Sequence, residues 1–221
     1  MKQPGHRENK TNSQLSRIIA VTDSVFAVAL TLLVIEIKIP TIETPTDSLI
    51  WESLKELTWT MLGFIISFFI VGYYWSVHHR IFGYVKKYTT RLIWLNLMFL
   101  FSVVLLPFTS GLLGKFAFDV HLVMPYGLYV FNICLTAAMN SILWFYLTNL
   151  NNDLLTHKIS KERILLGFYF TLVVPIFFII SLIVVFINPI VGRLIPLAIP
   201  FVLKYGLNGL TSRAIAKESI K

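Results

Sequence analysis

The chain is short of charge and has almost no cysteine. Only 14% of its 221 residues are Asp, Glu, Lys or Arg, against about a quarter in an ordinary soluble domain. That scarcity argues against a soluble fold, which needs a charged shell. The single cysteine, Cys134, lies inside an apolar run. It allows no intrachain disulfide, and no Cys/His cluster has zinc spacing. Neither an HExxH helix nor a nucleophile elbow is present. His78 and His79, His121 and His157 are scattered, with His157 expected inside and His121 outside, so no enzyme is expected. The N-terminal MKQPGHRENKTNSQLS lacks the apolar core and small-residue cleavage site of a signal peptide. The first apolar segment is therefore expected to remain as a helix. No RNA- or DNA-binding motif is visible, and no repeat at half-chain scale or low-complexity segment occurs.

Apolar residues fill the space left by charge. They make up 56% of the chain, and the mean hydropathy is +0.74. Apolar runs of about 20 residues, the length that crosses bilayer hydrocarbon, recur throughout. The reading is an all-α integral membrane protein with six transmembrane helices, at 18–39, 58–79, 92–113, 121–148, 164–187 and 190–204. The sixth is short and interrupted by Pro196 and Pro200, and Pro175 predicts a kink in the fifth. Residues 15–205 form one transmembrane domain, flanked by tails at 1–14 and 206–221.

The net charge is +8 with a pI near 9.6, and its distribution gives the orientation. Lys2, Arg7, Lys10 and Arg17 sit in or beside the N-terminal tail. Arg80, Lys86, Lys87 and Arg91 flank the second connection, and Lys158, Lys161 and Arg163 the fourth. Lys204, Arg213, Lys217 and Lys221 lie at the C-terminus. Together these are 15 of the 19 basic residues. The positive-inside rule places both termini in the cytoplasm with an even number of spans, and it accounts for the basic pI without nucleic acid. The first outer connection, 40–57, is acidic instead. Glu43, Asp47, Glu52 and Glu56 outnumber Lys55, with Glu36 just before it. Two readings stand: a mouth that concentrates cations, or a solvated loop.

The first span reads RIIAVTDSVFAVALTLLVIEIKIP. Asp23 lies about one turn inside it. An ionisable residue there is either paired in the protein interior or hydrated from the interface. At about 100° per residue, Ser24, Val28, Thr31, Leu32 and Ile35 share a narrow stripe. Asp23 projects to the back of that stripe, beside Phe26, Leu30 and Leu33. The stripe by itself is compatible with lipid contact, core packing or a pore lining.

Three ordered motifs add a resemblance. Arg17 is followed at the right distance by Val21-Thr22-Asp23. This is similar to the Arg…Phe-Ser-Asp hallmark of the transmembrane-protein-175 family of potassium channels, with Thr22 keeping the serine hydroxyl and Val21 replacing the phenylalanine. Tyr73 to Phe82, YYWSVHHRIF, resembles the family's Tyr-Trp…His-His segment. Asn96 to Gly114, NLMFLFSVVLLPFTSGLLG, resembles its Asn…Pro-Phe element. The resemblance covers the first three spans by motif and the last three by length and hydropathy. It implies a bacterial-type single repeat that assembles as a homotetramer in the plasma membrane, with a central pore lined by the first helix. The Thr-Val-Gly-Tyr-Gly filter is absent. Carried over by position, Val28, Leu32 and Ile35 match the aliphatic constriction and Thr31 the pore threonine. Arg17, Thr22 and Asp23 match a structural network whose partners are expected at Trp75 and His78, with His79 facing elsewhere.

The function expected from the resemblance is a potassium-preferring, leak-type cation channel. Its pore would run past Ser24, Val28, Thr31, Leu32 and Ile35. Its partners would be lipid and monovalent cations, with permeant K+, no cofactor and no resident metal. The alternative is a proton channel or proton-coupled transporter that uses Asp23 and His78 as a relay.

Overall fold

The computed structural model describes residues 4–38, 41–116, 119, 121–150 and 152–204. The expected C-terminal tail, 206–221, lies outside them, as do residues 1–3 and the last residue of the first expected span. Helix α1 runs Pro4–Ile35, α2 Asp47–Glu56, α3 Thr58–Phe82, α4 Thr90–Lys115, α5 Val123–Phe145, α6 Lys161–Val185 and α7 Pro189–Leu194. Short polar side chains start several of them by accepting from free backbone N–H groups of the first turn. Thr46 accepts from Leu49 N at 3.3 Å, Thr89 from Leu92 N at 3.2 Å and Ser160 from Arg163 N at 3.3 Å. The first helix begins well before its apolar part, so residues 4–14 of the expected tail are helical.

Five stretches of the described residues are long and apolar enough to cross a bilayer: Ser13–Ile35, Thr58–Phe82, Thr90–Lys115, Val123–Asn149 and Lys161–Val185. They fall on the first five expected spans. The fifth is continuous through Pro175, which is buried within α6. The sixth expected span, 190–204, is made of shorter pieces. After α7 comes a 3-10 turn, Ile195–Ala198, and then helix to residue 204, where the described residues end. Pro196 explains the change of pitch, because proline lacks an N–H and its ring clashes with the preceding helical turn.

The ends of the bundle are tied crosswise. At one end the α3–α4 and α5–α6 connections pair: Lys86 N donates to Leu154 O at 2.8 Å and Thr156 N to Tyr84 O at 2.9 Å. These are the two connections that the basic residues mark as cytoplasmic. At the other end Thr60 Oγ1 donates to Gly114 O at 3.2 Å, linking α3 to α4. Arg193 Nη2 donates to Leu122 O at 3.0 Å, linking α7 to the start of α5.

Between the ends, polar side chains hold helices together where apolar contact alone gives little drive in lipid. Ser67 of α3 lies 2.8 Å from Ser110 of α4 and 2.8 Å from the Tyr129 hydroxyl of α5. Asn132 Nδ2 donates to Thr109 Oγ1 at 3.2 Å, and Asn140 Nδ2 to Thr171 Oγ1 at 3.2 Å. The core around them is aromatic and aliphatic, with Phe26, Tyr74, Phe99, Tyr129 and Phe178 all buried. Burial is uneven: α4 and α5 bury 50% of their apolar windows, but α1 only 22%. The first helix therefore lies at the rim of the bundle, with one face committed and one face exposed.

Close approach at Gly167 has a direct consequence. The Trp144 indole fills the space where a Cβ at 167 would go, and its Nε1 donates to Ile164 O at 2.9 Å. Gly167→Val should displace that ring and destabilise the fold by ~1–3 kcal/mol, the usual cost of overpacking. A thermal melt of purified protein in detergent measures it, and an unchanged midpoint would contradict the packing described.

Candidate functional site: the two faces of the first helix

One face of α1 is fixed by a directional chain of hydrogen bonds. Thr22 Oγ1 donates to Ile18 O at 3.0 Å, within its own helix. Asn96 Nδ2 of α4 donates to Thr22 Oγ1 at 2.9 Å. Asn96 Oδ1 lies 2.8 Å from His78 Nε2 of α3. With the asparagine nitrogen already donating, its oxygen must accept, so the proton sits on His78 Nε2. Thr22, His78 and Asn96 are 2%, 2% and 3% exposed. Burial this complete leaves each polar group dependent on the others. The imidazole is also clamped by stacking, 4.4 Å from the Phe82 ring and 4.8 Å from Phe99. Three helices thus meet at one amide.

Asp23 is held separately, at the border of this face. Trp75 Nε1 donates to Asp23 Oδ1 at 2.9 Å. The carboxylate is partly exposed, and the charge-assisted bond spans α1 and α3. Of the two expected partners, Trp75 takes Asp23 and His78 takes Asn96. Arg17 is exposed on α1, while His79 packs tilted against Trp75 with ring centres 5.5 Å apart. Asp23 and His78 therefore share no hydrogen bond; each belongs to its own contact.

The opposite face is free. Val28 is 55% exposed, Leu32 37% and Ile35 63%, against 1% each for Phe26, Ala29 and Leu33. Ser24 and Thr31 are exposed as well. Their hydroxyl hydrogens are already used: Ser24 donates to Ala20 O at 2.8 Å and Thr31 to Val28 O at 2.8 Å. Each oxygen is left with lone pairs facing out, as an acceptor. The free arc is wider than the stripe, since Val21 and Val34 are 54% and 52% exposed. A shallow groove of about 380 Å³ runs along it past Ala20, Ser24, Val28 and Leu32, with Val104 of α4 on its far side.

The acidic connection between α1 and α3 is more ordered than a loop. Residues Asp47–Glu56 form α2, with no buried residue. Glu43, Asp47, Glu52 and Glu56 are exposed along it, while Glu36 is partly buried against Gly111 of α4. Sequence reasoning took Asn96 only as part of a motif and missed its place at the centre of the network. Phe82 and Phe99 were not expected there either. A signal was available, because an asparagine inside an apolar run needs a partner in the membrane. Among the described residues, no group of His, Cys, Asp and Glu is arranged to hold a metal ion.

Helix number, apolar surface and polar interhelical ties define a multi-pass α-helical membrane protein. The family described as endosomal/lysosomal potassium channel TMEM175 matches residues 17–107, the stretch from Arg17 of α1 to Pro107 of α4. A potassium channel of Chryseobacterium sp. (strain P1-3) is 33% identical over 155 residues, covering 69% of this chain and 78% of that protein. The crystal structure of a lysosomal potassium-selective channel TMEM175 homolog from Chamaesiphon minutus is similar at a TM-score of 0.72 and 26% identity, covering 87% of this chain and 98% of that one. The endosomal/lysosomal proton channel TMEM175 of Mus musculus is 28% identical over 134 residues, or 60% of this chain and 26% of the mouse protein. The chain belongs to the TMEM175 family, a family of ion channels rather than enzymes.

The amide at position 96 should matter more than its size suggests. Asn96→Leu keeps the branched side-chain shape but leaves buried His78 Nε2–H without an acceptor and Thr22 Oγ1 without its donor, although Thr22 still donates to Ile18 O. The expected loss is ~1–3 kcal/mol for the unsatisfied groups, read as a lower unfolding midpoint in detergent. Ser24→Ala, on the free face, should leave that midpoint unchanged.

Proposed function

We propose that this protein is a potassium-preferring cation channel of leak type, in which four copies surround a pore lined by α1. The single observation that carries the reading is the split of α1. Its polar and aromatic back is bound into the subunit through Thr22, Asn96 and His78, and its front stays bare. Four such fronts around an axis bury one another and leave a narrow passage. Val28, Leu32 and Ile35 then form aliphatic rings that hold little water and close by dewetting. A small rotation or splay of α1 opens them.

Thr31 sits among these rings. Its outward lone pairs offer four oxygens that partly replace a cation's water. Potassium gives up water more readily than sodium, so partial dehydration favours it. Ser24 provides a second hydroxyl ring toward the cytoplasmic side. The C-terminal, partially negative end of the α1 dipole points toward the outer mouth, where the carboxylates of 36–56 also raise cation concentration. In this arrangement both termini are cytoplasmic, in the plasma membrane, and the helix that α7 begins completes a sixth span.

Reconstituted protein in a potassium/sodium gradient tests the proposal. Wild type should pass current with a reversal potential on the potassium side. Thr31→Val should lower the potassium-to-sodium permeability ratio by about fivefold, the equivalent of ~1 kcal/mol for one polar interaction. No current from wild type, or no change of ratio in the variant, would remove Thr31 from any part in selectivity.

A proton pathway is the second reading, favoured by the proton-channel name of the mouse relative. It would need Asp23 to exchange protons. Asp23→Asn removes that ability yet leaves an oxygen to accept from Trp75 Nε1. On the potassium-channel reading this variant keeps its potassium current, whereas loss of proton flux with the fold intact would establish the proton pathway.

A further inference from the structure

A second cavity, away from α1, lies at the end of the bundle opposite the paired α3–α4 and α5–α6 connections. It measures about 310 Å³ and is lined by Trp59 and Gly63 of α3, Tyr126 of α5, Phe178 of α6, and Arg193 and Leu197 of the C-terminal segment. The volume is at the lower end for small-molecule sites, roughly 300–1,000 Å³. The wall is apolar apart from one cation and the tyrosine hydroxyls. Tyr126 and Tyr129 are already committed, Tyr126 to Ser181 and Tyr129 to Ser67.

Arg193 is the unusual member. It is one of only four basic residues outside the basic clusters of the chain. Nη2 donates to Leu122 O at 3.0 Å, and the guanidinium lies 5.9 Å from the Tyr126 ring centre, so the group is pinned in place. Its Nε is buried with no hydrogen-bond partner. Arg193 has no carboxylate within ion-pair distance among the described residues, and the Asp119 carboxylate acts on it only from farther away. With Nε closed off and Nη2 on Leu122 O, Nη1 is the donor left over among the described residues, and an arginine so fixed beside an apolar cavity is complementary to a molecule with an anionic head and an apolar tail.

We propose that this cavity is a binding site for an anionic phospholipid of the surrounding bilayer. Its phosphate takes the guanidinium of Arg193, and the upper part of one acyl chain enters between α3, α5 and α6. Three observations select a bilayer lipid over a soluble ligand. The chain is a multi-pass membrane protein, so phospholipid is its constant neighbour. The site is formed where α3 and α5 start and α4 and α6 end, which is headgroup depth. Trp59, half exposed at the rim, has the amphipathic ring that settles at that level. The volume accepts part of one chain, and the rest of the lipid stays in its leaflet.

Native mass spectrometry of the purified full chain in maltoside detergent tests this by counting retained lipid. Dioleoyl phosphatidylglycerol, dioleoyl phosphatidylcholine and oleate are titrated separately. Wild type should retain phosphatidylglycerol at about tenfold lower concentration than phosphatidylcholine, the scale of one charge-assisted contact. Arg193→Gln should erase that preference. Gly63→Leu should weaken retention of both phospholipids by filling the cavity. A Cβ at Gly63 meets no atom within 4 Å, and leucine suits a helix better than glycine, so this variant is expected to fold. Thermal melts of both variants check that they do. Equal retention of the two phospholipids by wild type, or wild-type retention in Gly63→Leu, would overturn the proposal. Tighter retention of oleate than of phosphatidylglycerol would overturn its assignment to a phospholipid.

Discussion

The amide of Asn96 is the contact on which the rest depends. A helix at the rim of a membrane bundle has little to fix its rotation, because lipid and neighbouring leucines offer equal apolar contact. Hydrogen bonds do have a direction. Asn96 donates to Thr22 and accepts from His78, and this sets α1 at one angle about its axis. Everything on the front of α1 inherits its orientation from that setting. A rotation by one residue, about 100°, would carry Phe26 out of the core and a valine into it.

The Trp75–Asp23 bond reinforces the same angle from the border of the buried face. Its partly exposed position separates its role from that of the Thr22–Asn96–His78 chain. The buried chain is neutral, dry and ends at a backbone carbonyl, Ile18 O. An amide in its middle holds position but is a poor carrier of protons. This favours a structural use of both contacts. The same economy of polar groups recurs deeper in the bundle, where Ser67, Ser110 and Tyr129 join three helices. These hydroxyls tie α3, α4 and α5 to one another.

Much of this was legible in the residues. Five apolar stretches fell where they were expected, because a bilayer admits only helices of about 20 residues in such a chain. Asp23 was separable from the stripe by helical angle alone. The family resemblance offered Trp75 and His78 as candidate partners, and the structure pairs Asp23 with Trp75. Asn96 was harder: one residue cannot announce which two helices it will join, and its partners are 74 and 18 positions away. The helix α2 was also hidden, since ten residues give too short a window for periodicity to distinguish an exposed helix from a solvated loop. The breaks after residue 189 were signalled by Pro196 and Pro200, but a proline predicts an interruption without fixing the form it takes.

The first helix shows where the two sources of information divide. Its sequence alone determined that it spans, which of its ends carries the basic charge that the positive-inside rule assigns to the cytoplasm, and that Asp23 and the Ser24–Val28–Thr31–Leu32–Ile35 stripe lie on different sides. Those follow from hydropathy, charge and 3.6 residues per turn. Only the tertiary structure decided which side is buried. An aliphatic stripe and an aromatic one are equally welcome in a membrane core, so hydrophobicity could not choose between them. The choice was made by a buried amide that only the packing of α3 and α4 against α1 could supply.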